Sequence, residues 1–279
     1  MRRWYCGFAA TLVVVAASVF PTEARALLIA PPAGPQRVIN ANAVIVGKVI
    51  GLEPQDTTVM NVTYRIAVVK VDQALRGLKD AKQVRVAFIP PPANPPKFKI
   101  GGGNRNVQLA VGNAGMFILT KHPKEDFYKF GGPVGYFISS ENNKGFDGDV
   151  EAVKTIIKVA PNPQAGLKSK DAEERLIAAA LLVEKYRMFR GPGAPKEEPI
   201  DAAESKLILS AISDAKWGPV RFGELNAQQV FFQLGVGPKD GWKAPTKTSP
   251  DDMRKAVQAW IQDHPDYRIR RFVPAADKQ

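Results

Sequence analysis

Residues 43–71, AVIVGKVIGLEPQDTTVMNVTYRIAVVKV, constrain the fold more tightly than any other stretch of the 279-residue chain. Two runs rich in β-branched residues, Ala43–Leu52 and Val59–Val71, flank a Glu-Pro-Gln-Asp turn. Such composition favours paired strands, so a long antiparallel hairpin is expected. Within Ala43–Leu52 neighbouring residues are apolar on both sides, which demands cover on both faces. Gly47 and Gly51 interrupt the run, and glycine inside a strand marks a bulge or tight bend. Val62–Val71 alternates, which puts Val62, Tyr64, Ile66, Val68 and Lys70 on one face, the expected core side.

The chain continues in the same period. A turn centred on Gly77 leads into a strand over Gln83–Ile89, and two more are expected over Asn106–Val111 and Gly115–Lys121. The proline run Pro90–Pro96 cannot join a ladder because proline has no N–H. Gly101–Gly103 lacks the Lys-Ser/Thr and the following helix of a phosphate loop. Phe127–Ser140 is aromatic-rich. Phe127, Tyr128, Tyr136 and Phe137 could form a stacking surface for a ligand, or fill the sheet's interior and a neighbouring contact. Val150–Ala160 has the spacing of a short amphipathic helix.

Beyond Pro161–Gly166 the period changes from two to that of helices. Asp171 and Asp201 each stand three residues before a Glu, a capping-box pattern opening helices to about Arg190 and Lys216. Asn226 and Ser249 open two further helices. The expected organisation is a leader at 1–26, a proline-rich lead at 27–37, a β domain at 38–160, a linker at 161–169 and a helical domain at 170–279.

The first 26 residues carry Arg2 and Arg3, an apolar run from Phe8 to Phe20 and Ala24-Arg25-Ala26. That is the pattern of a secretory signal, with cleavage expected between Ala26 and Leu27. The run is short of the roughly 20 apolar residues that span a bilayer. The single cysteine, Cys6, leaves with the leader, so no disulfide framework and no thiolate nucleophile are expected. Three of the 39 basic and one of the 27 acidic residues leave too, for a mature net charge of +10. A basic surface attracts polyanions by its long-range field. For an exported protein the expected localisation is secreted or periplasmic, and the expected partner is a protein or an anionic polysaccharide of the envelope. Nucleic acid and a membrane span after signal removal are not expected.

Candidate chemistry is sparse. The two histidines, His122 and His264, precede prolines and share no zinc-binding spacing. No serine sits in a Gly-x-Ser-x-Gly elbow. The adjacent pairs Glu173/Glu174 and Glu197/Glu198 read as solvated carboxylates rather than an acid and base. No catalytic residue, cofactor or metal is expected. In Trp260–Pro274, Arg268, Arg270 and Arg271 alternate with Tyr267, Ile269 and Phe272. This arm either binds a polyanion or docks back with its guanidinium groups on carboxylates. Docking is preferred, because Ile269 and Val273 need a place to bury.

Asn42–Val49, Tyr64–Val68, Leu75-Arg76-Gly77 and Gly115–Leu119 together resemble netrin-like and TIMP-like modules and their bacterial secreted relatives. The resemblance implies an OB-type barrel over residues 38–140. Protease inhibition does not carry over, since it uses cysteines this mature chain lacks. The later helices resemble HEAT-like pairs. The expected fold class is α+β: an N-terminal OB-like antiparallel β-barrel followed by an all-helical domain. The expected function is that of an exported, non-enzymatic binding or structural module, with a polyanion or glycan binder and an unrecognised hydrolase as alternatives.

Overall fold

The hairpin stretch folds into three strands. β1 (Ala43–Leu52) lies antiparallel to β3 (Val62–Arg76), and the short β2 (Thr57–Val59) folds back on β3 through Met60 and Asn61. The β1–β3 register slips at Val44/Ile45, at Val46/Gly47 and again between Val49 and Gly51. A Cβ at Gly47 would stand 2.3 Å from the Lys70 carbonyl oxygen, so only glycine permits this approach. The structure, a computed structural model, describes residues 34–91, 107–130, 136–141, 143–189, 195–218 and 225–274. All of them belong to one compact unit, Pro32–Gln279. The leader, Ala26 and Leu27, Gly101–Gly103 and most of the proline run fall outside the described residues.

Four more strands complete the sheet. β4 (Gln83–Phe88) pairs antiparallel with β3, and β5 (Ala114–Lys121) pairs antiparallel with β1 and with β7 (Tyr136–Ser139). The two-residue β6 (Tyr128–Lys129) is antiparallel to β5 but parallel to β4. The order is β1-β3-β4-β6-β5-β7, with β2 on β3 and β1 also on β5. Residues 107–111 form no strand, contrary to expectation; they lead into a turn that bonds to Val49 through Gly112 and Asn113.

Seven helices surround or extend this sheet in the described residues: α1 (Gly34–Asn40), α2 (Phe146–Val159), α3 (Pro163–Gly166), α4 (Ala172–Arg187), α5 (Ala202–Asp214), α6 (Ala227–Gln233) and α7 (Pro250–Asp263). β8 (Lys196–Pro199) and β9 (Arg270–Val273) form a separate antiparallel pair. The expected OB-like antiparallel barrel followed by an all-helical domain is therefore corrected to a mixed α/β fold. The parallel β4–β6 pairing makes the sheet mixed, and the C-terminal part carries a sheet of its own. Period-two sequence cannot reveal strand direction, and β8, KEEP, has no apolar pattern to betray it.

Both faces of the central strands are buried. Val44, Met116, Ile118 and Ile138 join the core formed with α1, α2 and α4. Ala43, Ile45, Phe117 and Leu119 point the other way, into a cluster with Val69, Val86 and Phe130. This accounts for the two-sided apolarity of the β1 sequence. α4 is buried at every position from Leu176 to Val183, and it packs against α1, α2, α3, α5, α6 and β9. The short α3 lies within the expected linker, and Leu167 after it is buried in the same core.

The helix starts follow the sequence in part. Asp171 and Asp201 cap α4 and α5 by accepting from the Glu173 and Glu204 amides. The glutamates expected to answer them turn elsewhere: Glu174 binds Lys158 and Ser169, and Glu204 accepts from the Tyr186 hydroxyl. Among the described residues no helix is long and apolar enough to cross a membrane.

Leu182 has no exposed surface, and Leu182→Ala is expected to cost ~2–5 kcal/mol by leaving a cavity in α4's packing. Chemical denaturation should show a lower midpoint with an unchanged slope. The β2–β3 turn holds Met60 at φ 51° and Asn61 at φ 63°, a geometry that favours Asn-Gly. Met60→Asn with Asn61→Gly is expected to stabilise by about 1 kcal/mol, the order of the left-handed strain relieved, read as a rise in Tm.

Candidate functional site

The richest concentration of polar chemistry lies where α4, β8, β9 and the 3-10 turn Pro238–Asp240 meet. Arg187, at the end of α4, donates from Nη1 to Glu197 Oε1 at 3.0 Å and to the Arg270 carbonyl at 3.2 Å. Its guanidinium lies 4.1 Å from the centre of the Phe272 ring. Arg270 bridges Glu197 and Asp240, at 3.4 Å to each. Lys239 reaches Glu197 at 3.7 Å. The Arg187 guanidinium, with Arg270 and Lys239 behind it, holds the Glu197 carboxyl below its ordinary range.

Beneath this network sits an aromatic group. Trp260 meets Tyr267 at 4.8 Å and Phe231 at 5.8 Å, while Trp242 meets Phe231 at 4.8 Å. Trp260 Nε1 donates to the Asp240 carbonyl at 2.9 Å. His264 stacks on Trp260, and its Nδ1 lies 2.8 Å from the Trp260 carbonyl. Gly241 has φ 76°, and a Cβ there would lie 2.3 Å from His264 Nε2, so the turn is reserved for glycine. Burial pushes the Tyr267 hydroxyl up to about 12.

Two clefts share Asp266 and Tyr267 in their walls. One, about 450 Å³, is lined by Glu197, Pro199, Arg268 and Arg270. The other, about 430 Å³, is lined by Asp240, Gly241, Asp263 and His264. Both fall within the size range of small-molecule recesses. No protein-family model and no curated protein matches this chain.

The arginine arm is brought together at this site. Arg268 donates through Nε and Nη2 to the Ile200 carbonyl, Arg270 is shared as described, and Arg271 meets Glu198 at 3.4 Å. Ile269, with no exposed surface, anchors the arm in the main core. The arm docks on β8 and α4.

The aromatic quartet is dispersed instead. Phe127 is buried against His122 at 4.8 Å and Tyr64 at 5.6 Å. Phe137 packs on Phe117 at 4.8 Å, and Tyr128 is half-buried on the same cluster. Tyr136 is exposed, with Arg37 5.4 Å from its ring centre. Ala26 and Leu27 lie outside the described residues. Sequence reasoning missed Arg187, Lys239 and Asp240, whose roles arise only from long-range docking. Among the described residues no cluster of His, Cys, Asp and Glu could hold a metal ion.

Glu197→Gln is expected to cost about 1.5–3 kcal/mol at neutral pH, the range for a hydrogen bond to a charged group. Because folding lowers this carboxyl's pKa, the wild type's advantage is complete above the ordinary value of 4.5 and shrinks as pH falls below it. Denaturation of both proteins from pH 7 to pH 3 should show the two stabilities converging.

Proposed function

We propose that the protein is an exported, non-enzymatic binding or structural module of the cell envelope. The observation that carries this reading is the internal use of its C-terminal cations. Each of Arg268, Arg270 and Arg271 is met by a carbonyl or carboxylate of the same chain, so the arm serves as a clasp. Glu197 is held as an anion by Arg187, the reverse of what a general acid requires. His264 spends Nδ1 on the Trp260 carbonyl, and His122 is enclosed by aromatic rings. The leader pattern of residues 1–26 supports export. The paired clefts at Tyr267 offer recesses for a small partner group, while the basic surface as a whole supplies attraction of long range only.

Arg270→Gln and Arg271→Gln separate the clasp from a polyanion site. The expected result is a lower Tm for each with the salt needed for elution from heparin resin unchanged. An unchanged Tm with earlier elution would make the arm a polyanion site instead. Expression of the full chain should yield a protein beginning at Leu27 in the envelope fraction.

A further inference from the structure

The chain has two histidines, and their hydrogen bonds are wired in opposite senses. At His264 the partner of Nδ1 is the Trp260 carbonyl, which can only accept. The ring therefore carries its hydrogen on Nδ1, and a second proton would go to Nε2 without disturbing that bond. At His122 the partner of Nδ1 is the Lys124 backbone N–H, which can only donate, at 3.3 Å. Here Nδ1 is the bare nitrogen and the neutral ring carries its hydrogen on Nε2. A second proton has to enter at Nδ1, where it would confront another donor.

His122 is 5 % exposed, its ring 4.8 Å from Phe127 and 5.8 Å from Tyr64. Its amide donates to the Phe127 carbonyl, which closes the turn from residue 122 to 127. That turn delivers the chain from β5 into β6, whose two residues are the link between β4 and β5. Charged groups line the turn: Lys121 and Asp126 pair at 3.7 Å, Lys124 and Glu125 are exposed, and Arg85 donates to the Asp126 carbonyl from β4, where it also binds Glu53. The titratable group that touches the ring from β3 is the Tyr64 phenol.

We infer that His122 is a proton-sensitive latch: protonation at Nδ1 breaks its bond from the Lys124 amide and releases the turn that seats β6. The Lys124 amide can bond only to a bare Nδ1, so the latch is held by the neutral ring alone.

The test is amide hydrogen exchange at Lys124 between pH 7.5 and 5.0, corrected for intrinsic rates, with the two imidazole signals followed by NMR. Protection at Lys124 is expected to fall at least tenfold with the same midpoint as the His122 imidazole. His264→Gln should leave that fall intact. His122→Asn places an amide oxygen near the Nδ1 position, so protection should stay flat with pH. Should His122→Asn fail to fold, the coincidence of midpoints in the wild type and in His264→Gln decides. Constant protection through the His122 titration, or a fall that follows only the His264 signal, would overturn the latch.

Discussion

Everything in this fold depends on the burial of α4. A helix whose positions 176–183 are all buried cannot lie on a surface; it must be enclosed. The enclosure is assembled from distant parts of the sequence: α1 before the sheet, α2 and α3 after it, then α5, α6 and finally β9. Because Val44, Met116 and Ile118 enter the same core, the central strands form part of that enclosure. Removing them would expose apolar surface on both sides at once, a cost proportional to the area uncovered.

What was legible in the sequence was what depends on neighbours along the chain. The β1 and β3 runs, the glycine interruptions and the Asp caps of α4 and α5 are local patterns with local causes. Strand direction was not local. β6 has two residues and no period, yet its parallel pairing with β4 makes the sheet mixed. β8 is a charged tetrapeptide that becomes a strand only because β9 returns to it. The candidate site shares this origin: Arg187, Glu197, Asp240 and Arg270 are widely spaced in sequence, and each reads alone as a solvated charge.

The ion network and the aromatic group divide the work of holding the C-terminal arm. Ile269 and the Trp260–Tyr267 contact supply burial, which is strong but indifferent to register. The charges supply register, since Arg270 fits between Glu197 and Asp240 in one alignment of β9 on β8. With side chains of period two, a slip by one residue would turn Arg270 and Phe272 to the opposite face. The clefts beside Tyr267 inherit their shape from this fixed alignment.

The wiring also sets a clock. Asn42 is bonded to Lys121 across 79 residues, and Arg187 to Arg270 across 83. Closing such loops is entropically costly before any contact rewards it, and chains dominated by distant pairings fold slowly. α4 follows α1, α2 and α3 along the chain, yet its cover stays incomplete until Ile269 arrives. The interval between those two events is when this chain is most exposed to aggregation, and most in need of a companion that shields apolar surface.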